Sequence, residues 1–206
     1  QPDLTKKFIY VPIQLQPERT TSPQGDIFVD QILMLETLSA ALSDDWLIYA
    51  KEHPIQWLHF GLDFSSSRYR GYYKKIAKIK NVRLIPVNAN SYDLIDKSQT
   101  VVVVTGSAGW EAILRSKPAI IFGHVWYDNC PGILKDSDVE SCRAALKKII
   151  AGFSVDQQKI INYLKSFDQA TIRGFISPTA GQTAGLTKQE SMTNITRLIL
   201  AQIEKY

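Results

Sequence analysis

Residues 100–123 read TVVVVTGSAGWEAILRSKPAIIFG: four valines run into Thr-Gly-Ser-Ala-Gly, followed by an apolar-periodic stretch and a second apolar run. VVVV and AIIF show no polar alternation, the pattern of strands buried on both faces. AGWEAILRS between them has helical spacing. A strand, a helix and a strand in so short a space predict a right-handed crossover between parallel neighbours. Small residues sit where the first strand hands over to the helix. They make either a tight turn with Ser107 as helix cap or a space kept clear for a ligand.

The same alternation extends in both directions. FIYVPIQL (8–15), WLIYAKEHP (46–54) and VRLIPV (82–87) read as further strands. Helices are expected over Ile27–Leu42, near Tyr69–Ile79, and over SYDLIDKS (91–98) with Ser91 as N-cap. Past Gly123, HVWYDNCPG reads as loop, with helices at Asp138–Ile150, Val155–Phe167 and Lys188–Lys205. ISPTAGQTAG (176–185) reads as a linker. The expected fold is α/β, a Rossmann-like parallel sheet flanked by helices. It is expected as one domain over 1–206, with its core at 8–150 and C-terminal helices at 151–206. The first residues, QPDLTKKF, contain no initiating Met and no signal-peptide core, so a piece of a longer protein is expected.

Composition narrows the function classes. The 206 residues are 45% hydrophobic and carry a net charge of +4, which suits an anionic ligand without calling for nucleic acid. Seven cations between Arg68 and Arg83 are expected on a solvated amphipathic helix face, or else on a surface for anionic substrate or lipid headgroups. Cys130 and Cys142 form no disulfide framework and suit a reducing compartment. No apolar run approaches the roughly 20 residues needed to cross a bilayer. The three histidines lack ligand spacing, no Cys–His cluster exists, and no metal is expected. Neither a Walker A loop, a GxGxxG fingerprint nor a Gly-x-Ser-x-Gly elbow is present.

In a doubly wound sheet ligands bind at the carboxyl ends of the strands, and four of those ends carry unusual residues here. Thr105, Gly106 and Ser107 offer hydroxyls and backbone N–H groups to an anion. Glu111, one turn into the helix, either accepts from ribose hydroxyls or balances the helix dipole. In KEHP, a protonated His53 can pair with phosphate, with Glu52 holding the proton and Pro54 fixing the turn, while Lys51 adds a cation. It can equally be an exposed loop histidine. Glu18 and Arg19 lie in a polar loop after the first strand. Glu18 can serve as general base and Arg19 can neutralise an anion, or the loop is plain surface with Asp26 capping the next helix. His124, Trp126, Tyr127 and Asp128 follow the fifth strand, where aromatics either stack on a base or sugar or anchor the loop.

Three of these segments, QPERTTSPQGDIFVDQ (16–31), YAKEHP (49–54) and TGSAGWEAILRSKPAIIFG (105–123), resemble in order the bacterial capsule (surface) polysaccharide biosynthesis proteins. That group includes transferases using CMP-activated Kdo and is distantly similar to bacterial sialyltransferases of the GT-B fold. The resemblance covers roughly residues 8–127. It implies the C-terminal, donor-binding half of a GT-B glycosyltransferase that binds a CMP-sugar without a metal or other cofactor. His53 with Pro54, and Thr105 with Ser107, would meet the donor phosphate, and Glu111 the ribose. Glu18 belongs to the motif without an assigned step. The implied partners are the CMP-sugar, a glycan or lipid-linked acceptor and an N-terminal acceptor domain outside this chain. The last helix is a candidate to cross back to that half. The implied location is cytoplasmic, at the inner membrane face. Two rival readings remain: a UDP-sugar epimerase of similar architecture, and a non-catalytic nucleotide- or glycan-binding module of an assembly complex. The motif order, with four unusual strand exits on one edge, favours a phosphate seat over a tight turn at 105–109.

Overall fold

Val101 to Val104 are fully buried, and Ala119 to Ile121 of the next strand nearly so, as their unbroken apolar composition demands. The computed structural model describes residues 1–18, 20–56, 68–175 and 180–204. These form two units, Gln1–Ile160 and Ile161–Tyr206.

The first unit contains the sheet. In chain order it holds β1 (Phe8–Pro12), α1 (Gln31–Ala41), β2 (Leu47–Lys51), α2 (Tyr72–Ala77), β3 (Val82–Ile85) and α3 (Ser91–Lys97). Then come β4 (Thr100–Val103), α4 (Ala108–Leu114), β5 (Ala119–Ile121), β6 (Ile133–Lys135) and α5 (Val139–Ile150). Every strand pairing is parallel, in the order β3-β2-β1-β4-β5-β6. The chain order therefore reverses between β1 and β4, which opens a crevice at their carboxyl ends. This is the expected Rossmann-like architecture.

Strand parity divides the core. Ile9, Val11, Ile48, Ala50, Val102 and Ile120 face one way and build a single apolar cluster with α1, α2 and α5. The side chains between them in sequence, such as Tyr10, Tyr49 and Val103, face the other way and are also buried. At the end of β2 this alternation separates Lys51 from Glu52. Lys51 goes towards the start of α3 and Glu52 towards α2.

Several expectations are corrected. Asn90, not Ser91, caps α3: its extended backbone lets Oδ1 accept from the N–H groups of Tyr92 and Asp93, while Ser91 is already helical. Asp30, not Asp26, caps α1 through Ile32 N–H, because a 3-10 turn over Asp26–Val29 comes first. β6 forms just past the expected loop HVWYDNCPG, in a stretch given no element. It is three residues long and only partly buried at the sheet edge, too short for periodicity to register. Arg68 is buried, not solvated. Of the expected linker, 176–179 lie outside the described residues and Ala180–Ala184 form α7.

α6 (Gln157–Ala170) runs across the division between the units. In the second unit, α8 (Lys188–Ile203) opens with a capping box between Thr187 and Glu190. Buried Ser191 bonds both backbone groups of Phe175 there. Among the described residues no helix is long and apolar enough to cross a membrane.

Candidate functional site

A cavity of about 450 Å3 opens at the β1/β4 switch point, and four strand exits line it. Gln14, Leu15 and Glu18 come from the segment after β1, His53 from β2, Thr105 to Ser107 from β4, and Trp126 with Tyr127 from β5. The convergence expected from topology is therefore physical contact with one space.

The walls are held by a buried polar network. Glu52, 5% exposed, receives Arg68 through two bonds, Nε to Oε2 at 2.9 Å and Nη2 to Oε1 at 3.0 Å. Tyr73 Oη donates to Oε2 at 2.7 Å and the His53 backbone N–H to Oε1 at 2.7 Å. Arg68 Nη2 also donates to the Gln14 carbonyl at 2.7 Å. A bidentate pair with this many satisfied partners can hold charge out of water. Gln14 carries the network to β4. Its Oε1 accepts the Thr105 N–H at 2.8 Å, and its Nε2 donates to Thr105 Oγ1 at 2.9 Å.

The expected pairing of Glu52 with the His53 ring is not formed. The Glu52 carboxylate holds the backbone of His53 and not its ring. The ring Nδ1 accepts the Ile55 N–H at 3.2 Å, so the remaining hydrogen sits on Nε2, a donor. Of the two readings of the turn at 105–109, the Ser107 cap is not formed. Ser107 occupies the cap position of α4 in a helical conformation and makes no capping bond. Its Oγ donates to Glu111 Oε1 at 3.3 Å.

On the β5 side, the buried Tyr127 hydroxyl donates to the Gly106 carbonyl, and burial raises its pKa. A Cβ on Gly109 would lie 2.7 Å from that hydroxyl, so glycine there is what lets Tyr127 in. Trp126, 54% exposed, leans on Trp110 and Tyr127 at the cavity.

Among the sequence candidates, Glu18, His53, Thr105, Gly106 and Ser107 line the cavity, with Glu18 exposed. Glu111 reaches it through Ser107. Pro54 and His124 are exposed and are not brought to it. Neither is Lys51. Its ammonium is bound to Ala89 O and Ser91 Oγ, both at 2.6 Å, and burial lowers its pKa. Arg19 lies outside the described residues. Among the described residues no three His, Cys, Asp or Glu side chains stand together to hold a metal. The sequence reading missed Gln14, Gln31, Arg68 and Tyr73, which join partners 16 to 91 residues away along the chain.

The fold has solved counterparts. A β-Kdo 2,7 transferase, KpsC of Thermosulfurimonas dismutans, matches with a TM-score of 0.50 and 21% identity, over 68% of this chain and 41% of that one. The β-Kdo 2,4 transferase of the same KpsC matches at 0.46 and 21%, over 66% and 39%. The S. aureus MnaA–UDP co-structure matches at 0.46 and 14%, over 78% and 42%. The chain thus spans about two fifths of the length of each. No curated protein matches the sequence. The family model of capsule polysaccharide biosynthesis proteins matches residues 3–163, most of the chain and the whole of its sheet, and the chain belongs to that family.

Proposed function

We propose that this chain is the donor-binding half of a GT-B glycosyltransferase of bacterial capsule or lipopolysaccharide synthesis. It would move Kdo or a related ulosonic acid from a CMP-sugar to a glycan acceptor. The observation that carries this reading is the cavity at the switch point, which His53, Thr105, Gly106 and Ser107 line together. As the glycosidic bond breaks, negative charge grows on the departing CMP phosphate. His53 Nε2–H and the Thr105 hydroxyl stabilise it, joined by the Ser107 hydroxyl once it turns from Glu111, without a metal. Glu111 receives the ribose through its place beside Ser107, and Trp126, which lines the same cavity, meets the base. Glu18 accepts the proton of the attacking hydroxyl. The acceptor and its binding half come from outside this chain, consistent with the roughly two-fifths coverage of the Kdo transferases. We place the protein in the cytoplasm, where its two unpaired thiols persist.

Calorimetric titration with CMP, CDP and UDP tests the reading. CMP is expected to bind, and His53→Ala to weaken it about tenfold, the loss of one hydrogen bond to a charged group. Glu18→Gln is expected to leave CMP affinity within about twofold. With the acceptor half present, the same variant is expected to lose transfer. Preference for UDP would favour the epimerase reading. Failure to bind any nucleotide would overturn both and leave a non-catalytic module.

A further inference from the structure

Gln14 sits just beyond β1, 7% exposed, with all its polar groups engaged. Its backbone N–H donates to Gln31 Oε1 at 2.7 Å, and its carbonyl accepts from Gln31 Nε2 at 3.0 Å and from Arg68 Nη2 at 2.7 Å. Held so, its side chain meets Thr105 twice. The protein itself fixes the amide orientation. The Thr105 N–H can only donate, so Oε1 must face it, and Nε2 is left for the hydroxyl. A hydroxyl that accepts from an amide sends its own hydrogen elsewhere, and Thr105 lines the cavity. His53 is wired alike: Nδ1 is occupied by an N–H group, and Nε2–H remains to donate.

We propose that Gln14 is a positioning residue that sets the Thr105 hydroxyl as a donor into the cavity, selecting a ligand group that accepts, such as a phosphate oxygen, over one that donates. The proposal rests on reading the cavity as a nucleotide phosphate site. Gln14→Glu reverses the wiring. One carboxylate oxygen still accepts the Thr105 N–H, while the other accepts the hydroxyl hydrogen and turns it away from the ligand.

The test is a double-mutant cycle on CMP affinity at pH 7, measured by calorimetry on the full chain. The new carboxylate repels phosphate whatever stands at 105, so the informative quantity is the ratio of its effects in two backgrounds. Gln14→Glu is expected to weaken CMP at least fivefold more beside Thr105 than beside Thr105→Val. Thr105→Ser, which keeps a hydroxyl, is expected to retain that ratio. A merely structural Gln14 would lower the melting temperature and give equal effects in all three backgrounds, which overturns the proposal. If the buried carboxylate prevents folding, Gln14→Met is expected to show coupling of the same sign, about threefold, and its absence is equally decisive. A wild-type chain that binds no CMP overturns the site reading and this proposal together. CMP binding without coupling overturns the role of Gln14 alone.

Discussion

Asp136 stands just past β6, 7% exposed, and its Oδ2 meets no donor among the described residues. Burial pushes its pKa up from 3.8 to about 6, against the Cys142 thiol that donates to it. A raised carboxylate pKa means that the folded state holds the proton more tightly than the unfolded one. Its contribution to stability is full below about pH 4 and is lost as pH rises through 6. Asp136→Asn is therefore expected to stabilise the chain by about 2 kcal/mol at pH 7 and by almost nothing at pH 3.5. Thermal melts at the two pH values check this. Glu52→Ala strands the buried Arg68 cation and is expected to cost about 3–5 kcal/mol in urea unfolding. Tyr73→Phe removes one bond from the same carboxylate and is expected to cost about 1.5 kcal/mol. KEHP read alone suggested an ion pair between Glu52 and the His53 ring. Arg68 claims that carboxylate from 16 residues away, and nothing local in KEHP reveals it.

At the scale of elements, two glycines set how closely the site's walls meet. A Cβ on Gly109 would meet the Tyr127 hydroxyl at 2.7 Å, the end of a side chain that can swing. One on Gly123 would meet the Gln24 carbonyl at 2.6 Å and the Gly25 Cα at 3.1 Å, backbone that cannot. Gly109→Ala is expected to cost about 1–2 kcal/mol and to change Trp126 fluorescence as Tyr127 shifts. Gly123→Ala is expected to cost more, about 3 kcal/mol, by parting the loops after β1 and β5. Most elements were legible because periodicity is local: VVVV and AIIF declare buried strands, and KKIAKIK an amphipathic helix. The capping assignments failed because Ser91 and Asn90, or Asp26 and Asp30, are equally good cap chemistry, and only backbone angles decide between them. The cavity's location followed from topology. Its rigidity did not, because Gln14, Gln31 and Thr105 meet only once the sheet has formed.

At the scale of the molecule, both cysteines lie within the sheet-bearing unit and report on its integrity. Burial pushes Cys130 up to about 11 and Cys142 up to about 12. At pH 8 the native chain is expected to react with iodoacetamide at least ~100-fold more slowly than the unfolded chain, following the thiolate fraction. Time-resolved alkylation read by mass measures this. A further consequence follows from the parity of β2. Lys51 and Glu52 occupy opposite faces solely because side chains alternate, and each has a nest built for its own charge. Losing one residue between Leu47 and Ala50 would exchange them, bringing a cation to Arg68 and an acid to the Ala89 carbonyl. The number of residues in β2 therefore cannot change without exchanging the two charges. Length variation in relatives should pile up beyond the strand exits, leaving the strand itself as a ruler of fixed length.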